Sequence, residues 1–282
     1  MRLDDQQESP NVEDRRGMSP MVRGTGLGCG GLIVVLVLSY LTGVDPRQLL
    51  QSVQEAPPGA NSSAPIGGGA PAGNAGDALG HFSARVLGST EQAWSEIFAA
   101  SGRRYSPPTM VLFTGAVQSA CGMASAAVGP FYCPNDDKLY LDTDFFHELD
   151  RLGGRGDFAR AYVIAHEVGH HVQNLLGIAE QVERGQRAAG SDEEANRYSV
   201  RMELQADCLA GVWGNHAQRA GIIEPGDFES GLAAAASIGD DRLQRLGRGY
   251  VSPESFTHGS SQQRAEALRR GLQSGNPGAC SF

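Results

Sequence analysis

Residues 165–171 read Ala-His-Glu-Val-Gly-His-His, and the four-residue spacing of His166 and His170 constrains the fold more than any other feature of the chain. Residues i and i+4 share one face of a helix, so the two imidazoles can meet at one metal ion only if this stretch is helical. Glu167, one position round, reaches a water on that ion instead of the ion itself. Zinc lowers the pKa of such a water toward ~7, and an adjacent carboxylate takes its proton as the water attacks a carbonyl. The flanks agree with a helix: no breaker stands between Asp157 and Ala165, and Gly177 is placed as a C-cap glycine after Leu176. These residues point to metal-assisted hydrolysis of a peptide bond.

A catalytic zinc takes three protein ligands and keeps one position for water, so a second element must approach the first. Ser191-Asp192-Glu193-Glu194 is a capping box that opens a long helix through Met202, Leu204, Leu209, Val212 and Trp213. Glu203 and Asp207 share a face of that helix. Glu203 is the expected third ligand. Asp207 sits between Ala206 and Cys208-Leu209-Ala210, where an unpaired carboxylate would be costly, so it is expected to hold the second N–H of His166 or His170. His171 points about 100° away from His170 on the helix and is expected to pack or to support a ligand. His81, His147 and His216 lack paired donors at ligand spacing.

The chain has 282 residues, 40% of them hydrophobic, enough for one sizeable domain plus appendages. A net charge of -9 and a single lysine, Lys138, exclude the concentrated basic face that a nucleic-acid partner requires. Gly24 to Val44 carries no charged residue, has the apolar centre 32–38, and is long enough to span a bilayer. Arg15, Arg16 and Arg23 precede it, and by the positive-inside rule they hold the preceding tail in the cytoplasm. The expected division is a cytoplasmic tail over 1–23, a transmembrane anchor over 24–44, an Ala/Pro/Gly-rich linker over 45–77 and a zinc metallopeptidase domain over 78–282 outside the cytoplasm. Cys29 falls in the anchor. The remaining Cys121, Cys133, Cys208 and Cys280 form an even set where disulfides persist. Cys121 and Cys133 flank one short loop and are paired; Cys208 and Cys280 pair by elimination.

Within the domain, Ser89-Thr90-Glu91-Gln92 opens a helical pattern that runs to Gly102, and Thr109 to Gly115 has strand composition. The turn Pro134-Asn135-Asp136-Asp137 introduces a second strand, Lys138 to Asp142, the candidate for an exposed edge on which an extended substrate pairs backbone to backbone, as in zincins; the alternative is that Leu139 and Leu141 mark a strand buried between neighbours. Thr143 or Asp144 caps a short helix with Phe145 and Phe146. Beyond Gly177 nearly everything is helical in pattern. The expected fold class is α+β, a mostly helical domain with a small sheet, of the zincin-like kind that the resemblance below implies, preceded by a single transmembrane helix.

H-E-x-x-H followed by E-x-x-x-D on a later helix resembles the gluzincin metallopeptidases, which include thermolysin and the CAAX prenyl protease group. The resemblance implies that the later Glu binds zinc and the Asp braces a histidine. The wider set Asn11 to Gly17, Gly129 to Pro134, His166 to Gln173 and Gln205 to Cys208 looks like the bacterial neutral zinc metallopeptidase family, over nearly the whole chain outside the linker. Phe256-Thr257-His258-Gly259, followed by the capping box Ser260 to Gln263 and by Arg264, is similar to the Thr-His-Pro turn and arginine of the CAAX group, with Gly259 where that group has proline. The match implies that His258 or Arg264 faces the site and hydrogen-bonds substrate or the developing oxyanion; an ordinary capped surface helix is the alternative. The expectation is a periplasmic zinc endopeptidase in a bacterial cell membrane, with one zinc on His166, His170 and Glu203, Glu167 as general base, and a peptide or unfolded envelope protein as substrate. The competing expectation is a zinc-containing envelope protein that binds peptides or partner proteins without cutting them. Glu167 favours catalysis, since a structural zinc needs no base.

Overall fold

The structure, a computed structural model, describes residues 1–17, 76–125 and 128–281. The expected anchor 24–44, Cys29 and nearly all of the linker lie outside the described residues, and among these residues no helix is long and apolar enough to cross a membrane.

A mixed four-stranded sheet has the order β1 (Val12–Asp14), β2 (Thr109–Phe113), β6 (Lys138–Asp142), β5 (Phe131–Cys133). β1–β2 and β2–β6 are parallel, while β5 runs antiparallel to β6. β3 (Ala116–Ser119) and β4 (Gly122–Ser125) form a separate hairpin. Met110, Leu112, Leu139 and Leu141 face the main core, whereas Val111, Phe113 and Tyr140 face a second cluster with Val117 and Ala124 of the hairpin. Both faces of the central strands are therefore covered, which is why their sequences are runs of apolar residues without polar alternation.

Two expectations about this sheet are corrected. β6 is an interior strand with β2 on one side and β5 on the other, so Lys138–Asp142 is no free edge. The edge next to it is β5. The tail over 1–23 is likewise no separate unit, because residues 1–17 are built into the domain. Val12, Glu13 and Asp14 lie opposite Met110, Val111 and Leu112, Val12 is buried, and Arg2 N donates to Ile222 O at 2.8 Å. Asn11 and Ser9 both donate to Glu91, at 2.9 and 2.7 Å. Strands paired in one ladder share a compartment, so a single membrane crossing cannot separate residues 1–17 from residues 78–282. Arg15 and Arg16, counted above as flanking charge, pair with Glu13, Asp14 and Asp77.

The first long helix, α1 (Ala78–Ala100), is capped by Asp77, whose side chain accepts from Gly80 N at 2.8 Å. It thus starts eleven residues before the capping box read at Ser89 to Gln92. Ser89 and Thr90 instead lie buried inside the helix: Ser89 accepts from Trp213 Nε1 at 3.1 Å, and Thr90 bonds back to Leu87 O. After α2 (Phe145–Leu152) comes the metal helix α3 (Asp157–Leu175), then α4 (Ile178–Ala188). α3 is buried on nearly every side, with Phe158, Ala161, Tyr162, Ile164, Val168 and Val172 in the core, as expected of a helix apolar all round. α5 (Asp192–Arg219) begins exposed, with Ser191 accepting from Glu194 N, and becomes buried from Gln205 to Gly214. α6 (Asp227–Ser237), α7 (Asp240–Arg248) and α8 (Ser261–Ser274) complete the helical layer, and Ser260 and Gln263 form the capping box expected at α8.

Glycines set two of the helix approaches. A Cβ at Gly169 of α3 would lie 3.0 Å from Ala206 O of α5, and one at Gly271 of α8 would lie 1.9 Å from Cys208 O of α5. α5 is thus gripped between α3 and α8 at backbone distance, beside Glu203 and Asp207. Both expected disulfides are present: Cys121–Cys133 joins the hairpin turn to β5, and Cys208–Cys280 joins α5 to the C-terminal segment.

Candidate metal centre

His166 and His170 lie on one face of α3 with their rings 4.7 Å apart, and Glu203 reaches them from α5. Its Oε2 is 3.2 Å from His166 Nε2 and its Oε1 is 3.4 Å from His170 Nε2. One donor atom from each of the three falls within 4.8 Å of the others.

The outer nitrogens decide what the inner ones do. His166 Nδ1 is 2.8 Å from Asp207 Oδ1, and His170 Nδ1 is 2.9 Å from Gln173 Oε1. Both partners are acceptors, so both Nδ1 atoms carry protons and donate, which leaves the two Nε2 lone pairs converging on a carboxylate. Donors alone facing one point call for a cation there. The set of two imidazoles and a carboxylate fits zinc, with room for a water. Burial disfavours an imidazolium, yet Asp207 and Glu203 raise His166 to about 10; burial and the two imidazoles act oppositely on Glu203, and the imidazoles hold it well below the usual carboxylate range. Each shift marks a site that favours positive charge among these three residues.

Asp207 has no exposed surface and is matched on every side. Besides His166 it accepts from Tyr162 Oη at 2.5 Å and from Arg264 Nε and Nη2 at 2.9 and 3.0 Å. Against the effect of burial, Arg264 and His166 bring its carboxyl down to about 2. Arg264 is itself buried and donates further to Tyr162 Oη and Ile238 O. It is thus the counter-ion of Asp207 rather than a side chain free to meet substrate. Of the two residues left open by the sequence, both line the same cleft as Glu203, but His258 is the more accessible, its side chain 53% exposed where that of Arg264 is buried. Asp240 holds that turn by accepting from the backbone N–H groups of Thr257, His258 and Gly259, and lies 3.3 Å from His258 Nδ1.

The centre forms the floor of a cleft of about 1140 Å³. Glu167 lines it beside the ligands, and burial raises its pKa against the opposing pull of His166 and His170. Gly129, Pro130, Phe131 and Tyr132, at and before the edge strand β5, form one wall. Tyr132 is tied to the metal helix through His171 Nδ1 and Asn174 Nδ2, each 3.1 Å from its hydroxyl oxygen. His171 therefore supports the wall, as expected of its position on the helix. The sequence missed Gln173, Arg264 as a counter-ion, Tyr162 and Asp240. The apolar-to-polar break at Gln173, a buried amide on the ligand face three residues after His170, was the available signal for the first.

Comparison with known proteins agrees with this geometry. The model of the family described as "Putative neutral zinc metallopeptidase" matches residues 1–282, and the chain belongs to that family. It is 45% identical to "Uncharacterized protein YpfJ" of Escherichia coli (strain K12), over 100% of this chain and 98% of that one. It is 48% identical to "Uncharacterized protein Rv2575" of Mycobacterium tuberculosis over 62% of each chain. No solved structure matches.

Proposed function

We propose that this member of the family is a zinc-dependent endopeptidase acting on extended or unfolded polypeptide outside the cytoplasm. The observation that carries the reading is the convergence of His166 Nε2, His170 Nε2 and the Glu203 carboxylate, with Glu167 beside them, on the floor of an open cleft. The chemistry that zinc supplies when bound here is Lewis acidity toward a peptide carbonyl and acidification of a water. Glu167 takes the proton of the attacking water and returns it to the leaving amine. His258 lines the cleft where it can donate to the developing oxyanion, and Asp240 orients it. Among the described residues β5 is an edge strand of the sheet and lies in the cleft wall, so an extended substrate is proposed to pair there, in place of β6. Pairing through backbone is indifferent to most side chains, and the expected specificity is broad.

The compartment is part of the proposal. Two disulfides favour an oxidising environment, and the apolar run 24–44 is proposed to attach the protein to a membrane with residues 1–17 and 78–282 on the same face. The test is cleavage of a generic unfolded protein by the purified full chain with and without a chelator. Loss of cleavage on chelation and its return with zinc are expected. A zinc-loaded protein that binds the unfolded chain without cutting it would replace this reading with that of a non-catalytic binder.

A further inference from the structure

One metal ligand is oriented through a buried relay that ends at the C-terminal disulfide. His170 Nδ1 lies 2.9 Å from Gln173 Oε1; Gln173 Nε2 donates to Gln205 Oε1 at 2.9 Å and to Met202 O at 2.7 Å; Gln205 Nε2 donates to Cys280 O at 2.9 Å. Gln173 has no exposed surface, and Gln205 and Cys280 have 6% and 5%. Cys280 is bonded to Cys208, the residue that follows Asp207.

The polarity of the relay follows from the only groups in it that cannot be turned round. The carbonyls of Cys280 and Met202 accept and never donate. Cys280 O therefore fixes Gln205 with its NH2 toward the disulfide and its oxygen toward Gln173. That oxygen and Met202 O together require both N–H donors of Gln173, so Gln173 must turn its own oxygen to His170. An oxygen facing Nδ1 demands a proton there, and the Nε2 lone pair is left for the metal. The other histidine reaches the same tautomer by a charged route, through Asp207 with Arg264 as counter-ion. The neutral route supplies no net charge, so the site gains a second oriented imidazole without a second buried carboxylate.

We infer that Gln173 and Gln205 are positioning residues for zinc binding, fixing His170 as an Nε2 ligand, with the disulfide-held Cys280 carbonyl as the anchor of the relay. The inference rests on the metal-site reading above. Since Gln173 is fixed by two carbonyls and Gln205 by one, the effect is graded, with Gln173 dominant.

The experiment measures the zinc dissociation constant of the full chain by competition with a chromophoric chelator, alongside the melting temperature of the zinc-free protein. Gln173→Met, close in size but with no donor and only a weakly accepting sulfur, is expected to weaken zinc binding roughly ten- to a hundredfold. Gln205→Met is expected to weaken it less. Gln173→Glu restores an acceptor to His170 while losing the donors, so its affinity should lie nearer to wild type than that of Gln173→Met; a residue that only fills space or ties down Met202 would give the opposite order. His166→Ala, run in parallel, separates the two readings. If His166→Ala loses zinc while Gln173→Met binds it as wild type does, the relay is wrong and the metal site stands. If His166→Ala keeps stoichiometric zinc, the metal site itself is wrong.

Discussion

Asp207 carries a full charge with no exposed surface, and its worth lies in what it leaves unpaired when it is lost. Asp207→Asn keeps the shape, but Arg264 is then a buried cation without its counter-ion, a change that costs about 3–5 kcal/mol in comparable sites. Chemical denaturation of the zinc-free variant should show that loss, together with a drop in zinc affinity; unchanged stability would mean that Arg264 is compensated elsewhere. Arg264 was not legible as a partner of Asp207, because the two are 57 positions apart and nothing local marks the pair. The ligands were legible for the opposite reason. His166 and His170, and Glu203 and Asp207, each stand four apart on one helix, so spacing alone puts them on common faces. Gln173 follows His170 by three on the same face, but Gln205 stands two positions from both Glu203 and Asp207 and so off their face; an amide also has no charge to make its burial conspicuous, and its role appears only once its acceptor and donor sides are assigned.

At the level of elements, the sheet and the helix contacts carry the predictions. Gly271→Ala would push a methyl to 1.9 Å from Cys208 O, a backbone atom that cannot step aside, so a loss of about 3 kcal/mol or more is expected from overpacking. A wild-type melting temperature for that variant would show that α8 can move away from α5. The docking of β1 is sensitive to acid. Glu13 pairs with Lys138 at 2.6 Å and with Arg15; against the effect of burial these hold its carboxyl below the ordinary value of 4.5. A depressed carboxyl contributes stability above the unfolded value and loses it as pH falls through the folded one. The gap in melting temperature between wild type and Glu13→Gln should therefore be present above about pH 4.5 and close below it; a gap that persists in strong acid would contradict the pairing. β2 and β6 were legible from composition. The interior place of β6 was harder to read, because its parallel pairing with β2 is non-local and its hairpin partner β5, just across the turn 134–137, is only three residues long and has no strand pattern of its own. The start of α1 was misplaced for a related reason: Ser89 and Thr90 satisfy themselves inside the helix and imitate a cap in sequence.

For the molecule as a whole, the N-terminal segment is the main departure from what the sequence suggested. Hydropathy and flanking arginines describe residues 1–23 as a tail because neither registers a three-residue strand whose partner lies about a hundred positions on. With β1 in the ladder, reporters fused before Met1 and after Phe282 in intact cells should behave as residents of one compartment, proposed from the two disulfides to be an oxidising one. Reporters on opposite sides would require β1 to leave the sheet.

Glu167 is proposed to act as a base beside a zinc held by other residues. Zinc content and cleavage of an unfolded protein should be measured on one preparation of full-length Glu167→Gln against wild type. The expected result is about one zinc per chain in both, with cleavage by the variant lower by roughly a hundredfold or more. Cleavage at the wild-type rate by zinc-loaded Glu167→Gln would contradict it.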